Sequence, residues 1–197
     1  MKDTKADLCD QFKSYYNSEV FSDFTIKCGD RKWKVHKFVL AVHSDVFKRC
    51  CHSTTKESSE GVLDLSKHDE LKVETLVHYL YHFNYDYANP EPELDIHVDQ
   101  GCFHIDMAVI ADRYFIAGLN NLANRKFRRS IINTVLDDAG LAMLATTAYE
   151  IPQATEKHIR GVLVGNIVKA RILESSPAGE VAKAMRNNGD FALDVAL

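Results

Sequence analysis

The alternation of hydrophobic and polar residues predicts two strands and two short helices within residues 22–51. Apolar side chains fill every second position of residues 24–28, as they do on the buried face of a strand. Gly29-Asp30 is a two-residue hairpin signal, and the alternation resumes over residues 33–35. The compact apolar run at residues 38–42 suits a short buried helix, and a second helix follows it. This segment therefore predicts a hairpin that runs directly into helical structure.

Most of the remaining chain has the spacing of amphipathic helices. Leu8, Phe12 and Tyr15 stand at i, i+4 and i+7, which predicts an N-terminal amphipathic helix within residues 1–18. A short third strand is predicted at residues 62–65, and helical spacing resumes after it. We expect one core to contain Phe24, Ile26, Trp33, Val35, Leu40, Val73, Leu76, Leu80 and Phe115.

An acidic insert at residues 84–102 interrupts this pattern. Residues 84–100 contain two prolines and five acidic residues but no lysine or arginine. This composition predicts an exposed loop, and we expect residues 86–100 to lie on the surface. Alternating apolar residues suggest a short extended piece at residues 94–98. Beyond Asn133 the spacing is helical throughout, so residues 134–197 are predicted to form a helical extension.

Composition and charge narrow the classes of function. The net charge of −4 argues against a nucleic-acid partner, and no apolar run is long enough to cross a membrane. The polar N-terminus does not resemble a signal peptide. The five cysteines are scattered and odd in number, which favours free thiols in a reducing, intracellular setting, in the cytoplasm or nucleus.

Two local clusters could carry chemistry, but a structural role is favoured for each. Cys50-Cys51 beside His52 resembles a thiol pair, although buried cysteines are common in cores. His78 and His82 stand at i, i+4 on a predicted helix, without a third metal ligand at motif spacing. We therefore expect no catalytic residue, no metal and no cofactor. A further basic cluster, interpreted as a solvated helix end, contains Arg125, Lys126, Arg128 and Arg129.

The first segment resembles the beginning of a BTB/POZ domain. The resemblance rests on the joint spacing of Ser22-Asp23, Val35-His36-Lys37, Val39-Leu40-Ala41, and Ser44 with Phe47. A second match is the string from Ile110 to Leu119. The resemblance implies an α+β BTB/POZ fold, a small mixed sheet surrounded by helices, over residues 19–131. The helical extension that follows is similar to that of stand-alone fungal BTB proteins.

The resemblance also implies two sites on the domain. In this family the residues that match Asp23 and Lys37 approach each other in a charged groove near the dimer interface. Family members that bind cullin scaffolds carry an apolar-X-Glu motif in the loop before the third strand. The matching residues here are Thr55, Lys56 and Glu57, and a threonine replaces the apolar anchor. Weak or absent cullin binding is therefore predicted.

A homodimer is predicted from surplus apolar surface. Phe38 and Val42 stand i, i+4 on a different row of the first helix from Val39 and Leu40. The N-terminal row, Leu8, Phe12 and Tyr15, also needs cover. BTB dimers are built from these elements, so we expect the two rows to meet across a two-fold axis. The alternative is that the C-terminal helices cover this surface within one chain.

Three hypotheses of function follow from these observations. The first is a self-associating protein–protein interaction module that serves as an adaptor for a cullin-RING ubiquitin ligase and recruits an unknown protein. The second is a structural or regulatory BTB scaffold without a ubiquitin link. The third is a metal- or thiol-dependent enzyme on a BTB-like scaffold. The resemblance favours an interaction module that has no catalytic residue, with itself as the first partner.

Overall fold

The computed structural model divides the chain into two compact units. The first contains residues 1–86 and 113–119, and the second contains residues 87–112 and 120–197. The residues that the structure describes are 4–52, 56–87, 95–132, 134–150 and 156–197. The predicted boundaries placed residues 19–131 in one domain, whereas the units group residues 87–112 with the C-terminal helices.

A three-stranded mixed sheet forms part of the first unit. Its strands are β1 (Phe24–Cys28), β2 (Arg31–Val35) and β3 (Val62–Asp64), in the order β2-β1-β3. β1 pairs antiparallel with β2 and parallel with β3. Gly29 has a φ of 56°, a left-handed conformation that glycine adopts at no steric cost and that the two-residue hairpin turn requires. The alternation of apolar residues is seen directly, because the apolar positions of β1 are buried and the polar ones are half-exposed.

Five helices complete the described part of the first unit, apart from the ends of two longer helices. They are α1 (Thr4–Lys13), α2 (Lys37–His43), α3 (Asp45–His52), α4 (Lys56–Glu60) and α5 (Glu70–His82). Ser44 caps the start of α3, since its hydroxyl oxygen accepts a hydrogen bond of 3.1 Å from the backbone N–H of Phe47. Asp69 caps α5 in the same way, because its carboxylate accepts a hydrogen bond from the backbone N–H of Lys72.

The predicted core is confirmed at eight of its nine positions, and the exception is Phe115. The other eight side chains are all buried. Phe115 is 73% exposed, and Ile116 is buried beside it. α6 ends at Arg113, so Phe115 lies beyond the helix, and its left-handed backbone conformation departs from the helical spacing on which the prediction rested.

Every secondary-structure element described in the second unit is a helix. It contains α6 (Ile96–Arg113) up to residue 112, α7 (Ala117–Ile132) from residue 120, and five further helices. These are α8 (Asp138–Tyr149), α9 (Glu156–Lys169), α10 (Ile172–Ser175), α11 (Glu180–Asn187) and α12 (Gly189–Ala196). Asp137 caps α8, and the hydroxyl of Tyr149 donates a hydrogen bond of 2.7 Å to Asp194, which holds α12 against α8. No described helix is long and apolar enough to cross a membrane.

The predicted acidic loop is shorter than expected at its C-terminal end. α6 begins at Ile96, so the extended piece predicted at residues 94–98 is wrong. Val98 is buried, which also contradicts a surface position for the whole of residues 86–100. Asp95 explains the difference, because its side chain accepts a hydrogen bond of 2.9 Å from the backbone N–H of His97 and caps the helix. Residues 88–94 lie outside the described part of the chain.

Acid should destabilise the second unit through His104. This buried histidine lies on α6, and its burial, with a smaller effect of the Lys126 charge, lowers its pKa from 6.5 to about 4. The unfolded chain then binds more protons than the folded chain between these values, so stability falls as the pH falls from 6.5 towards 4. We expect a loss of roughly 3 kcal/mol, since each tenfold change in acidity is worth about 1.4 kcal/mol.

Urea unfolding at a series of pH values, from neutral pH down to about 4, measures this effect. His104→Gln keeps a polar side chain without the titration and should flatten the dependence. His43, His68 and His82 also have lowered pKa values because of burial, so part of the dependence will remain in the variant. An unchanged pH profile in His104→Gln would contradict this account.

Candidate interaction surface

The start of α2 is fixed by a hydrogen-bond network around His36. Nε2 of His36 donates to the carbonyl oxygen of Val20 at 2.9 Å, because a carbonyl can only accept. Nδ1 then accepts from the hydroxyl of Tyr81 at 2.7 Å, and the hydroxyl oxygen also accepts from the backbone N–H of His36 at 3.1 Å. Burial raises the pKa of Tyr81 to about 12, so its hydroxyl is protonated at neutral pH and can donate to Nδ1.

Asp23 and Lys37 meet through the backbone of α2. The carboxylate of Asp23 accepts a hydrogen bond of 2.8 Å from the backbone N–H of Lys37, where an anion is favourable at a helix N-terminus. The ammonium of Lys37 lies 5.7 Å from the centre of the Phe24 ring. Among the described residues no side-chain ion pair joins the two. The pair predicted as a charged groove is therefore brought together as a helix cap.

α2 has one buried face and one exposed apolar face. Val39 and Leu40 are buried. Phe38 is 72% exposed and Val42 is 66% exposed. The two rows that the i, i+4 spacing separates are thus separated in the structure as well. The helix ends and its buried row are anchored, so the exposed row is held on a fixed scaffold.

The N-terminal helix contacts its own chain. The ring of Phe12 stacks on Tyr81 and Phe83, with centroid distances of 5.6 and 5.7 Å. The ring of Tyr15 packs edge-on against His36 at 5.7 Å. Leu8 remains exposed. The structure therefore gives Phe12 and Tyr15 partners within one chain, and of the predicted N-terminal row only Leu8 is largely free of cover.

Two exposed phenylalanines border α1 and α2 and were not singled out by the sequence pattern. Phe21 lies 6.5 Å from the Tyr15 ring, and Phe83 lies 5.4 Å from His43 of α2. Both have positive φ angles, 59° and 55°, which are uncommon for bulky residues. We use the name α1/α2 surface for the exposed apolar residues on and beside these helices, which are Leu8, Phe21, Phe38, Val42 and Phe83.

The predicted cullin-contact loop is described only in part. Thr55 lies outside the described residues, and of Lys56 only the backbone is described, at the start of α4. Glu57 is half-buried. Burial raises the pKa of the Cys50 thiol, and the charge of Glu57 contributes to the rise. The carboxylate of Glu57 is therefore close enough to α3 to influence its thiol.

The Cys50-Cys51-His52 cluster does not have the features of a reactive thiol. Burial raises the pKa of the Cys51 thiol to about 11, and the pKa of Cys50 is raised as well. A nucleophilic thiol needs a lowered pKa, because the thiolate is the reactive form. Both cysteines lie on α3, where Cys51 is part of the core.

His78 and His82 form part of an aromatic cluster beneath the N-terminal segment. Their rings stack with a centroid distance of 3.8 Å, and the ring of Tyr16 packs edge-on against both. The Nδ1 atom of each histidine is hydrogen-bonded to a backbone carbonyl oxygen at 3.1 Å. Within the described ranges, no group of three or more His, Cys, Asp or Glu side chains could hold a metal ion. The described contacts of both histidines are thus structural.

Comparisons with known proteins agree with this geometry. The family model of the BTB/POZ domain matches residues 12–100. Rabankyrin-5 of Homo sapiens is 41% identical over 66 residues, which are 34% of this chain and 5% of that protein. The chain therefore spans only a small part of the length of this relative.

Residues 12–100 belong to the BTB/POZ domain family. The mixed sheet with its helices and the helical C-terminal region confirm the predicted α+β fold. Domains of this family are generally protein–protein interaction modules rather than enzymes.

Proposed function

We propose that this chain is a self-associating interaction module whose copies meet through the α1/α2 surface. The observation that carries this proposal is the exposure of Phe38 and Val42 on a helix that is anchored at its start and along its buried face. A preorganised apolar surface loses little conformational entropy on binding. Exposed apolar patches larger than single residues mark interaction sites on soluble proteins.

The backbone around the α1/α2 surface supports this function. Phe21 and Phe83 hold left-handed conformations that bulky residues rarely adopt, and their rings remain exposed although each contacts an aromatic ring of the same chain. Strain of this kind costs on the order of 1–3 kcal/mol and is often found at functional sites. Contact with a second copy would bury these rings and offset the cost.

Cover within one chain is the alternative to a dimer. The described residues of the first unit leave Phe38 and Val42 exposed. In an isologous interface the same surface of both copies is in contact, so the row would be buried on each copy. A biological interface of this kind should bury more than about 1,000 Å² in total.

Co-expression of two differently tagged copies tests self-association. We expect the copies to purify together through either tag, because the same surface is present on both. The matched control is one tagged copy that carries Phe38→Asp and Val42→Asp. Recovery of this variant with the wild-type copy at an unchanged level would contradict the proposed surface.

We propose that the role in a cullin-RING ubiquitin ligase is weak or absent in the native chain and that Thr55 is the cause. Glu57 supplies the acidic residue of the family motif, but a threonine cannot fill a hydrophobic pocket. A structural or regulatory scaffold without a ubiquitin link is therefore the favoured form of the function. The protein that such a scaffold would recruit is not defined by the motif.

Thr55→Phe should raise the affinity for a cullin N-terminal domain. Burial of an aromatic ring in place of threonine is worth on the order of 1–3 kcal/mol, or about 5- to 150-fold in Kd. Isothermal titration calorimetry measures the change, with Thr55→Phe combined with Glu57→Gln as the control. Sub-micromolar binding by the native chain would contradict the proposal.

A further inference from the structure

A groove runs along one face of α9 in the second unit. It consists of two adjoining clefts of roughly 460 and 480 Å³. Both clefts are lined by Ile132 at the end of α7 and by Asn166 and Lys169 on α9. These shared residues join the clefts into one continuous groove. All of its lining residues belong to the second unit.

The α9 wall of the groove has no side chain at two positions. Gly161 and Gly165 stand one helical turn apart on this side, and a Cβ atom at either would meet nothing within 4 Å. The opposite side of α9 is anchored by Ile159, Leu163 and Ile167, which are all buried. A glycine inside an exposed helix costs about 1 kcal/mol relative to alanine. The two glycines therefore weaken the helix and leave room for another backbone to approach.

The opposite side of the groove is apolar and open. Ile132 is exposed at the end of α7, and Val135 is fully exposed in the segment before α8. Val162 of α9 is half-buried between the two glycines. These three apolar side chains can contact the apolar face of a bound helix, which is a recurring mode of peptide recognition.

The charges of the groove select an acidic occupant. Arg128 and Lys169 line it together with His158, and the described lining residues include no Asp or Glu. Arg125 and Arg129 add two exposed positive charges to α7, the helix that carries Arg128. A positive surface of this kind favours a partner of opposite charge and increases its association rate.

We propose that the groove binds an acidic amphipathic helix of a partner protein. The α9 face from His158 to Lys169 is about 17 Å long, so it can hold about three turns, or about 12 residues, of the bound helix. The apolar side of that helix lies over Gly161 and Gly165, and its carboxylates lie near Arg128 and Lys169. This surface is separate from the α1/α2 surface, so the inference does not depend on self-association.

Selection from a phage-displayed library of random peptides of about 12 residues tests the site on the intact chain. The library is counter-selected on the double variant Gly161→Leu, Gly165→Leu, which fills the groove. Leucine has a better helix propensity than glycine, and a Cβ atom at either position meets nothing within 4 Å, so the variant should fold. We expect enriched peptides to be acidic, with apolar residues at i, i+3, i+4 and i+7.

Two pairs of variants locate the binding of an enriched, fluorescently labelled peptide. The double glycine variant and Arg128→Glu, Lys169→Glu should each raise its Kd by about tenfold or more. The matched controls are Gly189→Leu, where a Cβ atom meets nothing within 4 Å, and Arg186→Glu at an exposed position of α11. Both should leave the Kd unchanged. Thermal unfolding of every variant checks that the fold is retained.

Three outcomes would overturn the proposal. The enriched peptides could lack acidic residues, their binding could be insensitive to both groove variants, or no peptide could be enriched over the counter-selection. A fourth measurement concerns a second copy of the chain as the occupant. If the double glycine variant changes the oligomeric mass of the chain, the groove holds another copy and the proposed partner is wrong.

Discussion

Leu40→Ala is expected to lower the free energy of unfolding by about 2–5 kcal/mol. Leu40 is fully buried on α2, so the substitution removes apolar contacts and leaves a cavity that the anchored helix cannot readily close. The helix cannot shift freely because Asp23 caps its start and His36 is hydrogen-bonded to the hydroxyl of Tyr81. Urea unfolding, monitored by circular dichroism, measures the change.

The control for this prediction is the same chemical change at an exposed site. Leu193 lies on α12 and is more than half exposed, so Leu193→Ala should change the stability by less than about 0.5 kcal/mol. A loss below about 1 kcal/mol in Leu40→Ala would contradict the core assignment of α2. The comparison separates burial from the general effect of removing a leucine.

Phe38→Asp should dissociate the dimer that we propose. An isologous contact places the new charge on both copies, so each copy loses apolar contact and buries an unpaired charge in the interface. We expect the dimer dissociation constant to rise by about 100-fold or more, which corresponds to about 2.7 kcal/mol. Sedimentation equilibrium measures the constant, and the exposure of Phe38 means that the fold should be retained.

Phe115→Asp is the matched control for the dimer prediction. Phe115 is exposed to nearly the same extent as Phe38 but lies outside the α1/α2 surface. Its substitution should leave the dissociation constant unchanged. Equal weakening by both variants would show that an added charge, and not its position on α2, determines the effect.

The sequence predicted the hairpin and α2 well because their patterns are local. Apolar residues at alternate positions of residues 24–28 and 33–35 define the buried face of the sheet without reference to the rest of the chain. The spacing of Phe38 and Val42 separates them from Val39 and Leu40 on one helix. Burial and exposure on these elements follow from periodicity alone.

The errors lie where a tertiary constraint or a cap decides the conformation. Phe115 is exposed because the backbone leaves the helical path at the end of α6, which no pattern of apolar residues records. Residues 96–98 fit both a strand and a helix over so short a length, and the cap at Asp95 selects the helix.

The α1/α2 surface could be predicted only in part for a related reason. Phe12 belonged to the predicted apolar row, but the sequence does not show which surface a helix will contact, and α1 ends at Lys13, before Tyr15. The structure places Phe12 on Tyr81 and Phe83. Phe21 and Phe83 gave no sequence signal, because their positive φ angles depend on contacts formed elsewhere in the fold.

Multi-angle light scattering of the intact chain at micromolar concentration tests the central claim most directly. If the α1/α2 surface joins two copies, the measured mass will be twice the 22.3 kDa of one chain and will return to one chain in Phe38→Asp. A mass of 22.3 kDa for the native chain at the same concentration would contradict self-association.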